Sequence, residues 1–154
     1  MTSNILTSDY PTRPAWLAVL ARATRTELER MLPAAGKLPE LKPVRAPEIG
    51  MVMLRGRVGG TGNPFNLGEA SVVRCAVRLG DGPLGVSYAL GRDKRRAELA
   101  ALFDALLQDP QHHDDLQRDL IAPLARAQAQ ARAQKQHDVA ASKVEFFTFV
   151  RGEA

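Results

Sequence analysis

The fold turns on the stretch Gly50-Met51-Val52-Met53-Leu54-Arg55-Gly56-Arg57-Val58-Gly59-Gly60-Thr61-Gly62-Asn63-Pro64-Phe65 and on the run Ser71-Val72-Val73-Arg74-Cys75-Ala76-Val77-Arg78-Leu79 that follows it. Side chains of a strand alternate between its faces, so each run is read at period two. In the first, Val52, Leu54 and Val58 fall on one side and Met51, Met53, Arg55 and Arg57 on the other. In the second, Val73, Cys75, Val77 and Leu79 oppose Val72, Arg74, Ala76 and Arg78. Pairing the two apolar sides brings the guanidiniums of Arg55, Arg57, Arg74 and Arg78 onto one sheet face, which suits an anion or an acidic partner. The glycine-rich connection is too long for a two-residue hairpin turn, and loops of that length are often functional.

Outward from this pair, the turn Gly80-Asp81-Gly82-Pro83 leads to a third strand, Leu84 to Leu90, and so to an antiparallel meander. Leu84, Val86, Tyr88 and Leu90 read as its apolar side, with Tyr88 in the core, and Gly85, Ser87 and Ala89 as a small face beside the arginines. Asp93 is placed to cap a helix from Lys94 to about Gln108, whose Leu99, Leu102, Phe103 and Leu106 form a stripe for the sheet's apolar face. Toward the N-terminus, Thr12 and Pro14 start a short helix with Trp16, Leu17, Val19 and Leu20. Thr24 and Glu27 form a capping box for a second helix carrying Leu28, Met31 and Leu32, ended by Pro33 and Gly36. Residues 33–43 read as a linker and Arg45–Glu48 as extended chain.

Toward the C-terminus, Pro110 ends the long helix, Asp114 or a neighbour opens another with Leu116, Leu120 and Ile121, and Pro123 interrupts it. Residues 124–141, rich in Ala, Gln and Arg, predict a helix facing solvent or a partner. The tail Val144 to Gly152 is β-prone and holds three of the five phenylalanines, so it should pair with the sheet edge or dock on another chain. The expected architecture is α+β, an antiparallel β-meander with helices packed on one face, in a single domain over residues 1–154 with a flexible lead at 1–11.

At 154 residues, 45% hydrophobic and 25% charged, the chain suits one domain with an ordinary core. No apolar run approaches the roughly 20 residues that span a bilayer, and the N-terminus, with Asp9 and no leading basic cluster, does not resemble a signal peptide. A lone cysteine, Cys75, forms no internal disulfide. These features point to a cytoplasmic protein with no membrane partner. Residues 45–96 concentrate nine basic side chains against four acidic ones. The pI near 9.6 invites a nucleic-acid reading. With 5% aromatic residues and no stacking platform or recognition motif, that reading is set aside.

The glycine loop lacks the Lys-Ser/Thr of a P-loop and the third glycine of a dinucleotide fingerprint. What remains is a run of backbone N–H groups at Gly59, Gly60, Thr61 and Gly62 between Arg57 and Asn63, open to three readings: a cradle for an anion, a subunit docking surface, or a passive turn. Arg92, Lys94, Arg95 and Arg96 crowd a helix start, where the macrodipole disfavours each exposed cation by roughly 0.3–1 kcal/mol. An acidic partner, a phosphorylated ligand, or nearby Asp81 and Glu98 would compensate. His112-His113-Asp114-Asp115 carries metal-ligand types, but adjacent residues rarely converge on one ion, so it reads as a polar loop and cap with no metal. Ser71 and Ser87 sit in no nucleophile motif, Cys75 reads as core, and no catalytic residue emerges.

Several segments, in order, resemble one family. They are Arg45-Ala46-Pro47-Glu48-Ile49-Gly50, Arg57-Val58-Gly59-Gly60-Thr61-Gly62, Phe65, Gly68-Glu69-Ala70, Ala76-Val77-Arg78-Leu79, Leu90-Gly91-Arg92-Asp93-Lys94, Ile121-Ala122-Pro123-Leu124 and Phe146-Phe147-Thr148-Phe149-Val150-Arg151-Gly152. Together they look like PhnG, the small subunit of the bacterial carbon-phosphorus lyase system. The similarity runs from about Trp16 to Gly152, and the joint presence of Gly-Gly-Thr-Gly, Leu-Gly-Arg-Asp and Phe-Phe-Thr is highly specific.

The resemblance implies a multi-subunit enzyme in which PhnG assembles with PhnH, PhnI and PhnJ, with PhnK and PhnL in the wider system. There PhnI, aided by PhnG, PhnH and PhnL, replaces the adenine of ATP with methylphosphonate to give ribose 1-methylphosphonate 5-triphosphate. PhnJ, with an iron-sulfur cluster and S-adenosylmethionine, later breaks the carbon-phosphorus bond. This chain has neither clustered cysteines nor a nucleotide motif, so an accessory subunit without a cofactor of its own is expected. Either it docks on PhnI as a scaffold, or it lends Arg55, Arg57, Arg74, Arg78, Arg92, Arg95 or Arg96 to the triphosphate or phosphonate. Outside the family the alternative is a stand-alone phosphate- or phosphonate-binding regulatory module. Alone, the chain is expected to form a homodimer or weak oligomer.

Overall fold

Three β-prone runs joined by glycine-containing turns pair antiparallel in the order β1 (Leu41–Arg57), β2 (Pro64–Leu79), β3 (Leu84–Leu90). The structure is a computed structural model and describes residues 12–142. Two helices precede the sheet, α1 (Arg13–Leu20) and α2 (Arg25–Met31), the latter running into a 3-10 turn at Leu32–Ala35. Three follow it: α3 (Lys94–Leu107), α4 (Pro110–Leu116) and α5 (Ala122–Ala141), with a π turn at Gln117–Ile121 between the last two. This is the expected α+β meander. The flexible lead at 1–11 and the pairing of the 144–152 tail lie outside the described residues.

Local signals act where they were read. Thr24 Oγ1 accepts from the Glu27 amide at 3.3 Å, and the Thr24 amide donates to Glu27 Oε2 at 2.7 Å, closing the capping box on α2. Asp93 accepts from the Arg96 amide at 2.9 Å and starts α3. The prolines behave differently from expectation. Pro110 opens α4 rather than only ending α3, because Asp109, not Asp114, supplies the cap through the Gln111 amide at 3.0 Å. Pro123 does not interrupt the helical path. It lies in the first turn of α5, and the wider π turn before it reroutes the hydrogen-bond ladder around the missing N–H. The 33–43 linker shrinks, since β1 begins at Leu41 and takes in the extended Arg45–Glu48 segment.

Helix α3 is buried on nearly every side and separates two apolar clusters. On its sheet side, Ala97 and Ala101 meet Val73, Cys75, Val77 and Ala89. On its other side, Leu99, Leu102, Phe103 and Leu106 pack with Trp16, Leu20, Leu28, Leu116, Leu120 and Ile121. The leucine and phenylalanine stripe therefore faces the helical layer, and a ridge of alanines faces the sheet. The reason is close approach. Gly85 lies under α3 so tightly that a Cβ there would sit 1.9 Å from Ala101 O and 2.7 Å from Ala105 N, and Ser87 Oγ donates to Ala97 O at 2.7 Å.

This contact inverts β3 relative to the sequence expectation. Direct antiparallel partners share a face, and Val73, Cys75 and Val77 pair with Ala89, Ser87 and Gly85. The small side of β3 is thus the buried one. Leu84, Val86, Tyr88 and Leu90 lie on the opposite face, with Tyr88 56% exposed instead of in the core.

A buried carboxylate anchors the outer edge of β3 at Val86. Asp104, fully buried, accepts from Arg13 Nη2 at 2.7 Å, Arg13 Nε at 3.2 Å, Trp16 Nε1 at 2.9 Å and the Val86 amide at 2.9 Å. Arg13 Nη2 and Gln108 Nε2 also donate to Leu84 O, at 3.1 and 2.9 Å. Three elements, α1, α3 and β3, are joined at this point.

Removing a partner from a buried charged network strands the others, so Asp104→Ala should destabilise the chain by about 3 kcal/mol in denaturant unfolding. A loss under about 1 kcal/mol would refute this role. Gly85→Ala should cost on the order of 3 kcal/mol by forcing α3 off the sheet, whereas the same change at exposed Gly50, which meets nothing, should be nearly silent. Burial, and then the charge of Glu98, push the Cys75 thiol up to about 11, above the roughly 8.5 of an unfolded chain. The folded state holds this proton more tightly, so the group's contribution is complete below about pH 8.5 and declines as pH rises toward 11. Native alkylation of Cys75 should accordingly be far slower than alkylation in denaturant at the same pH; equal rates would show the thiol open to solvent.

Candidate docking arm and basic face

β3 pairs with β2 only from Val72 to Arg78, so Met51–Arg57 and Pro64–Ser71 continue past it as a two-stranded ribbon. At about 3.3 Å per residue this arm is roughly 20 Å long. The register explains its surface. Leu54 pairs with Gly68 but Arg55 with Asn66, leaving Leu67 as the extra residue of a bulge and 66% exposed. Opposite the Phe65 ring stands Gly56, where a Cβ would lie 3.4 Å from the ring atoms. Met51 and Met53 are 57% and 52% exposed, and Val58, Phe65 and Leu54 are exposed as well. Both faces of the arm therefore present large apolar side chains to solvent. An isolated two-stranded hairpin is marginal in water, and clustered exposed apolar groups mark interaction sites.

The arm ends in the glycine loop, whose connection is only Val58–Asn63 because β2 begins at Pro64, ahead of the run at Ser71 that its sequence pattern indicated. Gly59 and Gly60 take positive φ, 61° and 81°, and a Cβ at Gly62 would meet Val58 O at 2.5 Å. The loop closes on itself. The Gly62 amide donates to Val58 O at 2.7 Å and Arg57 Nη1 to Gly62 O at 3.2 Å, while Thr61 is exposed at the tip.

The four strand arginines are not brought together. Arg55 and Arg57 alternate with Met51 and Met53, and Ile49 of that same side pairs with Val73 on the α3 face. Arg74 and Arg78 lie on the opposite face. The assumption that Val52 and Leu54 share a side with Val73 fails by one residue: Val52 pairs with Ala70, which alternates with Val72 and Arg74.

A different basic group forms on the face away from α3. Lys42 pairs with Arg78, Arg45 with Ala76 and Glu48 with Arg74. Glu48 bonds Arg45 and lies 3.4 Å from Arg74 Nε; these contacts, Arg45 foremost, hold its carboxyl below the usual carboxylate range. Lys42 pairs with Asp81 at 3.2 Å, and Arg78 Nη1 donates to Gly82 O at 3.0 Å. Tyr88 stands directly beside Arg74. Sequence reading missed Lys42 and Arg45 here, because bulges at Val44 and between Arg45 and Glu48 break the alternation that would have shown them, and it placed Tyr88 in the core because it took the wrong side of β3 as buried. At the start of α3, Arg95 pairs with Glu98 at 3.3 Å and Arg96 donates to Leu90 O, while Arg92 and Lys94 are exposed.

The histidine pair has local partners. His112 Nδ1 lies 2.8 Å from Asp109, and His113 Nδ1 lies 2.6 Å from Leu107 O with its ring edge-on to Trp16. Among the described residues no group of three His, Cys, Asp or Glu side chains gathers that could hold a metal ion. Among them, too, no helix is long and apolar enough to cross a membrane.

Comparison with known proteins agrees with the motifs. The sequence model of the family described as phosphonate metabolism protein PhnG matches residues 11–152. A protein of Rhizobium meliloti (strain 1021), named alpha-D-ribose 1-methylphosphonate 5-triphosphate synthase subunit PhnG, is 49% identical over 137 residues, covering 89% of this chain and 87% of that protein. A match of this extent, spanning the arm, the glycine loop and the α3 start together, makes the chain a member of the PhnG family of phosphonate metabolism proteins.

Proposed function

We propose that this chain is the PhnG subunit of an alpha-D-ribose 1-methylphosphonate 5-triphosphate synthase, acting in phosphonate catabolism as an accessory subunit that docks on its partners through the arm. The observation that carries the docking role is the arm itself, a ribbon that outruns the sheet and presents Met51, Met53, Leu67 and Phe65 to solvent. The name of the Rhizobium meliloti relative supports the choice of complex. PhnI is the partner proposed for the arm, within an assembly that includes PhnH and PhnJ, in the cytoplasm. ATP is then a substrate of the assembly, and the chain carries no cofactor of its own.

Arg55 and Arg57 serve this role on the arm. Flanking apolar anchors with charge at an interface fixes register and steers association, because a wrong juxtaposition costs several kcal/mol. The loop glycines keep the tip compact, so that Arg57 is held beside the surface that Thr61 tops.

The arm lies outside the core, so Met53→Asp with Leu67→Asp should leave the unfolding free energy of the isolated chain within about 0.5 kcal/mol of the parent. In cells making the whole system, tagged parent chain should co-purify with PhnI and the double variant should not. Arg57→Glu should weaken assembly in the same assay. An Arg57→Glu complex that elutes whole yet no longer releases adenine from ATP plus methylphosphonate would overturn the docking role and place the arm in the active site.

A further inference from the structure

Among the described residues β1 is an edge strand, paired on one side only, with β2. Two bonds fix which of its backbone groups point outward. The Val58 amide donates to Asn63 O, so Val58 turns toward β2, and the Gly91 amide donates to Ser71 O, so Ser71, the partner of Met51, turns toward β3. By alternation Ile49, Met51, Met53, Arg55 and Arg57 direct their N–H and C=O groups away from β2, where no described residue bonds them. The first half of this edge is guarded. Pro43 and Pro47 each lack a donor, and register shifts on either side of Arg45 break the line. From Glu48 to Leu54 the register is unbroken, no proline interrupts it, and Ile49, Met51, Met53 and Leu54 are exposed. An open edge of this kind accepts an added strand.

The β-prone run Val144-Glu145-Phe146-Phe147-Thr148-Phe149-Val150-Arg151, which lies outside the described residues, matches the edge in length, pattern and charge. Set antiparallel with Glu145 opposite Arg55, it brings Phe147 to Met53 and Phe149 to Met51 on one face, and Phe146 to Leu54 and Thr148 to Val52 on the other. A parallel arrangement in the same span sets Arg151 beside Arg55. A slip of two residues sets Phe147 against Arg55 or Glu145 against Met53. The path of α5 decides whose tail this is. Leu124 joins the helical layer and Gln128 Nε2 donates to Val19 O at 3.0 Å, on the far side of α3 from the sheet. From Ala129 to Ser142 every residue is exposed, so the helix carries the tail about 20 Å past its last anchor, away from its own β1.

We propose that in the isolated protein two copies exchange tails, Val144–Arg151 of each pairing antiparallel with the outer edge of β1 of the other, Glu145 opposite Arg55, to form a closed dimer. The exchange goes beyond the docking role and is tested with no partner protein present, so the failure of either leaves the other standing.

Light scattering and sedimentation of the full-length isolated chain should show a dimer at micromolar concentration, and a chain ending at Ser142 should be monomeric. Met53→Pro removes an outward donor and no bond between β1 and β2, so it should dissociate the dimer with the circular dichroism unchanged. Arg55→Glu and Glu145→Arg should each weaken dimerisation by about tenfold or more, because the like-charge pair occurs twice in the dimer. Mixing these two variants should restore the parent affinity as a heterodimer, since the edge of each then meets a tail of opposite charge. A monomeric parent, a dimer that survives loss of residues 143–154 or Met53→Pro, or variants that fail to rescue one another on mixing would overturn the exchange.

Discussion

The rest of the molecule depends on the buried carboxylate of Asp104. A lone charge within the run Leu99 to Leu107 is costly to desolvate, and it is tolerated because four donors converge on it from α1 and β3. These bonds do more than satisfy Asp104. They supply an acceptor to the outward amide of Val86, and Arg13 and Gln108 supply donors to the carbonyl of Leu84, so these edge groups of β3 are satisfied by side chains. They also tie the start of α1 to α3 and to the edge of β3.

Close packing of α3 follows from the same region. Where β3 passes under α3, Ala97 and Ala101 meet the small Gly85-Ser87-Ala89 face, so helix and strand backbones come close together. A small-on-small contact of this kind gives less apolar area per residue but lets backbone approach backbone, as the Ser87 bond to Ala97 O shows. The larger side chains of α3 are then free to hold the helical layer. One consequence is that Tyr88 and Leu90 are pushed to the far face, where they meet the basic residues instead of the core.

The sheet is longer than its cover. Helix α3 spans the part of β2 that β3 also pairs, and the remaining length of β1 and β2 continues as the arm. The bulge at Leu67 and the glycines at 56, 59, 60 and 62 shape a ribbon that would be a liability in a solitary protein and is an asset in a subunit. Charge is distributed to match: Arg55 and Arg57 ride on the arm, while Arg45, Arg74 and Glu48 are tied to one another nearer the core.

By itself the sequence determined what rests on local chemistry. The capping residues Thr24 and Asp93, the turn at Gly80–Pro83, the apolar side Val73-Cys75-Val77-Leu79 and the segments shared with the PhnG family are readable because each depends on residues a few positions apart. Tertiary structure decided the faces. Which side of β3 is buried depended on how closely α3 could approach, a property of small residues that a count of hydrophobicity inverts. Which arginines share a face depended on bulges at Val44, at Ala46–Pro47 and at Leu67, and a one-residue offset moves a side chain through the sheet. The strand arginines were legible as residues but not as a group, Tyr88 was assigned to the wrong face, and Lys42 was read as linker, because their neighbours come from strands paired across the sheet. Asp104 carried one signal, a single carboxylate within the otherwise apolar run Leu99 to Leu107, but its donors on α1 and β3 lie 18 to 91 positions away, and only folding brings them within reach.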